Sequence, residues 1–125
     1  MADWDEGLNY QITKTIMIWD DKLKNIVVSF SSSGDNTIIS APARGYIAID
    51  NINLVPNSAV TMKLISGSTD LSGVYSLTAN QGFTQDNTFQ NQDGVITCAP
   101  GEAFKINLGS AVQCSGFCRY RIIGE

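Results

Sequence analysis

The chain has 125 residues, 43% of them hydrophobic and only 16% charged, enough for one domain around a single core and too apolar for general disorder. Its formal charge of −4, with eight Lys and Arg scattered among twelve acids, argues against a broad phosphate-binding surface and so against nucleic acid as a direct partner. Histidine is absent, which removes the commonest general base and the commonest zinc ligand, and three cysteines, an odd number, fit a reducing compartment better than a disulfide framework.

The chain opens on the acidic Met1–Glu6, with neither the basic nor the apolar region of a signal peptide. Residues 1–11 carry Trp4, three acids and no alternation, and are expected to form a short polar arm; a helix over Asp3–Gln11 would be too short to stand alone. Residues 12–125 are expected to form one β domain. The longest apolar run, Ile16–Trp19, falls far short of the ~20 residues that cross a bilayer, so a soluble protein without a membrane partner is expected.

Short runs rich in Val, Ile, Thr and aromatics then alternate with Gly, Ser and Asn. They are Ile12–Trp19, Asn25–Phe30, Thr37–Ser40, Gly45–Ile49, Ala59–Ile65, Gly73–Leu77, Gly94–Cys98, Ala103–Leu108 and Val112–Ile123. Between them, Val55-Pro56-Asn57-Ser58 puts Pro at the second position of a turn. Ala99-Pro100-Gly101-Glu102 has the Pro-Gly pair of a type II turn, and Asp93-Gly94 suits a tight hairpin. Turn signals about every ten residues are the rhythm of a β-sandwich or barrel. Phe30–Asn36 reads as a flexible loop. Asn80–Asp93 is a long polar stretch whose Phe83 and Phe89 are either exposed contact residues or rings folded back over the sheet as a lid.

The C-terminal stretch poses the sharpest question, because Cys114-x-x-x-Cys118 is either a metal or redox site or a pair of core thiols. A hairpin with a three-residue loop, Gly109-Ser110-Ala111, sets Leu108 opposite Val112, Ile106 opposite Cys114 and Phe104 opposite Gly116. Phe104, Ile106, Leu108, Val112, Cys114, Cys118, Tyr120 and Ile122 then share one face, whereas a two-residue loop sets the faces against each other. On such a strand the two cysteines lie roughly 13 Å apart, beyond the ~7 Å limit of a disulfide, and only Cys98 could join them as a third ligand. Core thiols are the expectation, with no metal and no cofactor. Arg119 and Arg121 alternate with the apolar residues and so face solvent or an acidic partner. The adjacent Asp20-Asp21 reads as a solvated turn, and Gly34-Asp35-Asn36 and Gly67-Ser68-Thr69 lead into no helix and so make turns, not phosphate loops. Nothing in the spacing anchors catalysis, and a non-enzymatic protein is expected.

From Ala41 onward, about two-thirds of the chain, the order of features is familiar. The stretch "APARGYIAIDNINL" precedes "AVTMKLISGSTDLSG", then "YSLTANQG", then "GEAFKINLGSAVQCSGFCRY". It resembles the small all-β virion proteins of tailed bacteriophages, in which a V-x-[LMF]-K strand leads into S-G-x-T, followed by L-x-A-N-x-G, a G-E-A-[FL] turn and a closing G-x-x-x-Y-x-[IV]. The polar Asn87–Asp93 run and the three cysteines depart from that pattern. The resemblance implies a jelly-roll-like β-sandwich, a location on the virion capsid surface after synthesis in the host cytoplasm, the major capsid protein as partner, and assembly as a homotrimer. Trp4, Phe83, Phe89, Arg119 and Arg121 are the candidate partner-binding residues. The rival is a carbohydrate- or receptor-binding module of a tail or head fibre, stacking sugars on Trp4, Trp19, Phe83 and Phe89. A small hydrolase built on paired carboxylates stands below both.

Overall fold

The computed structural model describes residues 23–88, 91 and 93–124. Every regular element among them is a strand: β1 (Lys24–Phe30), β2 (Gly34–Ile39), β3 (Tyr46–Pro56), β4 (Val60–Ser66), β5 (Thr69–Asp70), β6 (Tyr75–Leu77), β7 (Phe83–Asp86), β8 (Ile96–Thr97), β9 (Phe104–Leu108) and β10 (Cys114–Ile123). They form two antiparallel sheets packed as a β-sandwich. One has the order β1-β10-β3-β7, with β8 continuing the β7 edge along β3; the other has the order β2-β9-β4-β5, with β6 continuing the β5 edge along β4. The expected arm, residues 1–11, and the expected strand Ile12–Trp19 lie outside the described residues.

Alternation explains the core. On β9 Phe104, Ile106 and Leu108 are buried; on β4 Val60, Met62 and Leu64; on β10 Cys114, Cys118 and Ile122. Each fully buried aliphatic or aromatic side chain of this kind stabilises the fold by roughly 1.5–3 kcal/mol before entropy is counted. Leucines and isoleucines of both sheets close into one cluster.

Several expectations need correction. The β9–β10 hairpin does not exist: β9 pairs with β2 and β4, while β10 pairs with β1 and β3 in the other sheet. The shared apolar face is real, but two strands facing each other across the core satisfy it as well as two strands side by side. Residues 109–113 are enough to step across the ~10 Å between sheets. The connection is held at both ends, by Gly109 N–H donating to Thr61 O (2.9 Å) and Asn57 N–H donating to Gln113 O (2.9 Å). The second correction is length. The run expected to stop at Ile49 continues to Pro56, because β3 carries a bulge: Arg119 faces Asn51 and Tyr120 faces Ile49, leaving Asp50 as the extra residue. The bulge changes the phase of alternation, so Ile47 and Ile49 before it and Ile52 and Leu54 after it all point into the core. Pro56 is thus the last strand residue, opposite Cys114, and not the second residue of a turn.

The Pro100-Gly101 turn forms as expected, with Gly101 at φ +74 and Glu102 N–H donating to Ala99 O at 3.1 Å. Gly94 has φ +70, but it ends a turn from Asn91 on the way from β7 to β8, where no hairpin is made.

At Gly116, opposite Leu54, β10 approaches β3 so closely that a Cβ would overlap the Asn53 carbonyl. Gly116→Ala is therefore expected to destabilise by about 1–3 kcal/mol or more, the cost of overpacking. Gly73→Ala, whose Cβ would meet nothing within 4 Å, is expected to stay within about 0.5 kcal/mol of the parent. Paired denaturant melts measure both; equal stability of the two variants would show that β10 can move off β3.

Candidate functional site

The cysteines resolve as core residues. Cys98, Cys114 and Cys118 are all unoxidised, buried and part of the central cluster, and the sulfurs of Cys114 and Cys118 reach only backbone carbonyls, at 3.7 and 4.0 Å. Desolvation pushes the Cys98 thiol up from 9.0 to about 11, with the Ser66 hydrogen bond pulling the other way and the Glu102 charge adding to the rise. Cys118 is pushed up to about 12, first by burial and then by the neighbouring Cys98; burial alone raises Cys114. Thiolates, the reactive species, are thus suppressed at neutral pH.

In the unfolded chain these thiols ionise near their ordinary value, so the stability they contribute is complete below about pH 9 and is lost as pH rises through about 11 and 12. Once the unfolded thiols are ionised, each lowers stability by about 1.4 kcal/mol per pH unit. Melts between pH 8 and pH 11 are expected to show that decline, and the native protein at pH 8 to react with a thiol reagent only as fast as it unfolds. Rapid labelling of the folded protein would overturn the assignment.

Beside Cys98 the chain makes a polar lock. Ser66 Oγ donates to Glu102 Oε1 at 2.9 Å and accepts from Ala99 N–H at 2.9 Å, while Gly67 N–H donates to Ala103 O at 2.9 Å. The lock ties the β4–β5 turn to the connection entering β9, and its Ser66 is buried.

The five candidate contact residues do not converge. Trp4 and Phe89 lie outside the described residues. Phe83, on β7 opposite Leu54, is buried in the core with its ring centroid 4.9 Å from that of Tyr75, so it is a core residue of a strand, neither an exposed contact nor a loop ring folded over the sheet. Arg119 is exposed on the outer face of the sheet, as expected. Arg121 lies on the same face but is only 4% exposed, which corrects the expectation of a solvent-facing residue. Its Nη1 donates to Asp50 Oδ1 at 3.1 Å. Alternation was right about the face; what it could not show is the pairing with Asp50, which Asn87 shares. Asn87 donates through its side chain to Asp50 Oδ1 (3.0 Å) and to Asn91 O (2.7 Å), and through its backbone to Asp50 O (3.0 Å), while Val95 N–H donates to Ile49 O (2.8 Å). The bulge residue thus holds both the arginine and the loop.

Removing one member of a buried ion pair strands the other. Arg121→Ala is expected to cost about 3–5 kcal/mol of unfolding free energy, and Arg119→Ala less than about 0.5 kcal/mol. Equal effects in chemical denaturation would return both arginines to the surface.

Two surface features lay beyond sequence reasoning. On the outer face of the β10 sheet, Val27 (78% exposed) stands opposite Phe117 (38%), with Val55 nearby and amide ladders beside them: Asn51 to Asp86 at 2.9 Å and Asn53 to Thr84 Oγ1 at 3.0 Å. At the other side, where β1 and β2 are the edge strands of their sheets, a cleft of about 420 Å³ opens. Ile26, Ile38, Tyr120 and Ile122 supply its apolar wall, and Lys24 and Arg44 stand among the lining residues. No single alternating run encodes this cleft, because it is shared among β1, β2, β10 and the β2–β3 connection.

No protein-family model, curated protein or solved structure matches the chain.

Proposed function

We propose that the chain is a non-enzymatic structural protein of a tailed-bacteriophage virion, a jelly-roll decoration protein that binds the major capsid protein on the outer surface of the shell and stabilises it, as a homotrimer. The observation that carries this is the strand order. With β5 and β6 sharing one edge and β7 and β8 sharing another, each sheet has four strand positions, in the orders β1-β10-β3-β7/β8 and β2-β9-β4-β5/β6. Those interleaved orders are what two nested Greek keys give, the arrangement shared by viral capsid domains and by many lectins.

The resemblance motifs add support by where they fall. S-G-x-T is the β4–β5 turn, L-x-A-N-x-G is the crossing from β6 to β7 with Asn80 at φ 63, and G-E-A-F enters β9. Two of them touch, through Ser66 and Glu102. One of the two is a turn within its sheet and the other enters that sheet from the opposite layer, so the motifs fall where the chain changes direction. Mechanistically, a rigid sandwich bridging neighbouring subunits buries area where the shell is weakly closed and stabilises it by mass action. The sugar-binding alternative is weakened by Phe83, which is buried and offers no stacking face.

Co-sedimentation with undecorated capsids tests the reading. The full chain is expected to pellet with them, to raise their melting temperature, and to give no signal on a glycan array. Removing residues 1–11 is expected to leave a soluble fold and lower capsid affinity, with Trp4→Ala reproducing a loss of about 2 kcal/mol. Glycan binding without capsid binding would overturn the proposal. Full occupancy by the shortened chain would move the attachment to the sandwich itself.

A further inference from the structure

We infer that the cleft between β1 and β2 is a binding site for a small amphiphile with one carboxylate head and a hydrocarbon tail. The inference stands apart from the capsid reading, because it is tested on the protein alone.

Volume and lining set the class of ligand. The cleft holds about 420 Å³, within the ~300–1,000 Å³ of small-ligand pockets, which pair an apolar wall with a few polar groups that fix orientation. Four isoleucines, Ile26, Ile38, Ile39 and Ile122, dominate the wall together with Tyr120. Ile39 and Ile122 are buried members of the core, and Ile26, Ile38 and Tyr120 pack against it, so the wall is formed before any ligand arrives. Branched aliphatic side chains offer dispersion contacts and no hydrogen bonds. A sugar or a nucleotide laid against them would leave its own polar groups unpaired, whereas a hydrocarbon tail would not.

Charge sets the head group. Arg44 lines the cleft, is exposed, and its guanidinium makes no ion pair or hydrogen bond among the described residues. Lys24 also lines the cleft but is already engaged, so Arg44 is the uncommitted cation of the lining. The backbone beside Arg44 is held firmly. Gly45, at φ +77, lies so close to the Ile123 carbonyl that a Cβ would overlap it, and the Gly45 carbonyl accepts from Gly101 N–H at 3.0 Å. A guanidinium on an anchored backbone reaches a ligand at a low cost in ordering, and its planar fork matches the two oxygens of a carboxylate. The Tyr120 hydroxyl, also without a hydrogen bond among the described residues, is a second donor in the lining. The chain as a whole carries −4, so a single free cation holds a monoanion against that field more readily than a phosphate dianion or a polyanion. Charge complementarity therefore chooses one carboxylate.

Decanoate, kept below the concentration at which it aggregates, is the probe. The full chain is expected to bind it one to one in calorimetry, with the largest methyl shifts in NMR at Ile26, Ile38, Ile39 and Ile122. Decan-1-ol, the same tail without the charge, is expected to bind at least about tenfold more weakly, the worth of a charge-assisted hydrogen bond. Hexanoate, with the same head and a shorter tail, should also bind more weakly. Arg44→Glu is expected to lose decanoate affinity by a factor like that of the alcohol while the melting temperature without ligand stays unchanged, and Arg44→Lys to lose less, since it keeps the charge and gives up the fork. No saturable binding, equal affinity for decanoate and decan-1-ol, or undiminished affinity in Arg44→Glu overturns the inference. Binding to phosphatidylcholine vesicles that contain oleate, without binding of free decanoate, would make the cleft a membrane contact and overturn the small-ligand site.

Discussion

The last strand of the chain lies between the first and the third, and most of the molecule depends on that insertion. β10 meets β1 from Lys24 to Phe30 on one side and β3 from Tyr46 to Pro56 on the other. Without it the two strands have no common neighbour, and one wall of the core loses its middle. The contacts are almost all distant in sequence, so loop closure has to be met before any of them helps, and the fold belongs with the slower, non-local topologies. Gly116 shows how tightly the strand is fitted: the β3 backbone stands where a side chain would be. Cys114 and Cys118, on the core side of the same strand, are buried small apolar groups.

Asp50 is the second organising point. As the extra residue of the β3 bulge it changes which side of the strand faces inward, and β3 can serve the core along its whole length. Its side chain, turned to the outer face, accepts from Arg121 and Asn87. One irregular residue therefore sets the core phase, neutralises a buried arginine and anchors Asn87 after β7. Nearby, Tyr46 Oη donates to Asp93 Oδ1 at 2.6 Å, a contact that raises the tyrosine above its ordinary pKa, chiefly through the hydrogen bond to that carboxylate. Few groups hold this region, and they hold one another.

Local signals were readable in the sequence where they act locally. Period-two alternation found the runs of β1, β4, β9 and β10 and the core face of the last two, and the Pro100-Gly101 pair found its turn. Sheet membership was not readable, because alternation reports which side of a strand is apolar and not which strand lies beside it. Hence Phe104 and Cys114 were rightly placed on one core and wrongly placed in one hairpin. The bulge at Asp50 broke the pattern that would have shown β3 in full, and β7 was hidden because its outward residues, Thr84 to Asp86, are as polar as a loop. Among the candidate contacts, Arg121 and Phe83 failed for one reason: partners on other strands, Asp50 for Arg121 and Leu54 for Phe83, decide their exposure, and no local pattern carries that. Asn87, whose side chain joins loop to bulge, could be read only as one more polar residue in a polar run.

Six of the connections between successive strands pass from one sheet to the other. Such crossings do more than link layers. Each fixes the separation and rotation of the sheets at its own corner, and the Ser66–Glu102 lock and the pair of backbone hydrogen bonds bracketing residues 109–113 pin two of those corners with buried or backbone donors. A load applied to either sheet is therefore shared with the other, since the core is close-packed and transmits strain. The interior is apolar, its thiols are held protonated, and its one buried arginine is committed to Asp50. The outside is different: it carries the Val27–Phe117 strip with its amide ladders and the cleft beside β1 and β2. Those two surfaces differ in chemistry as well as in position: the strip carries apolar side chains and amides, the cleft an apolar wall with Lys24 and Arg44 among its lining.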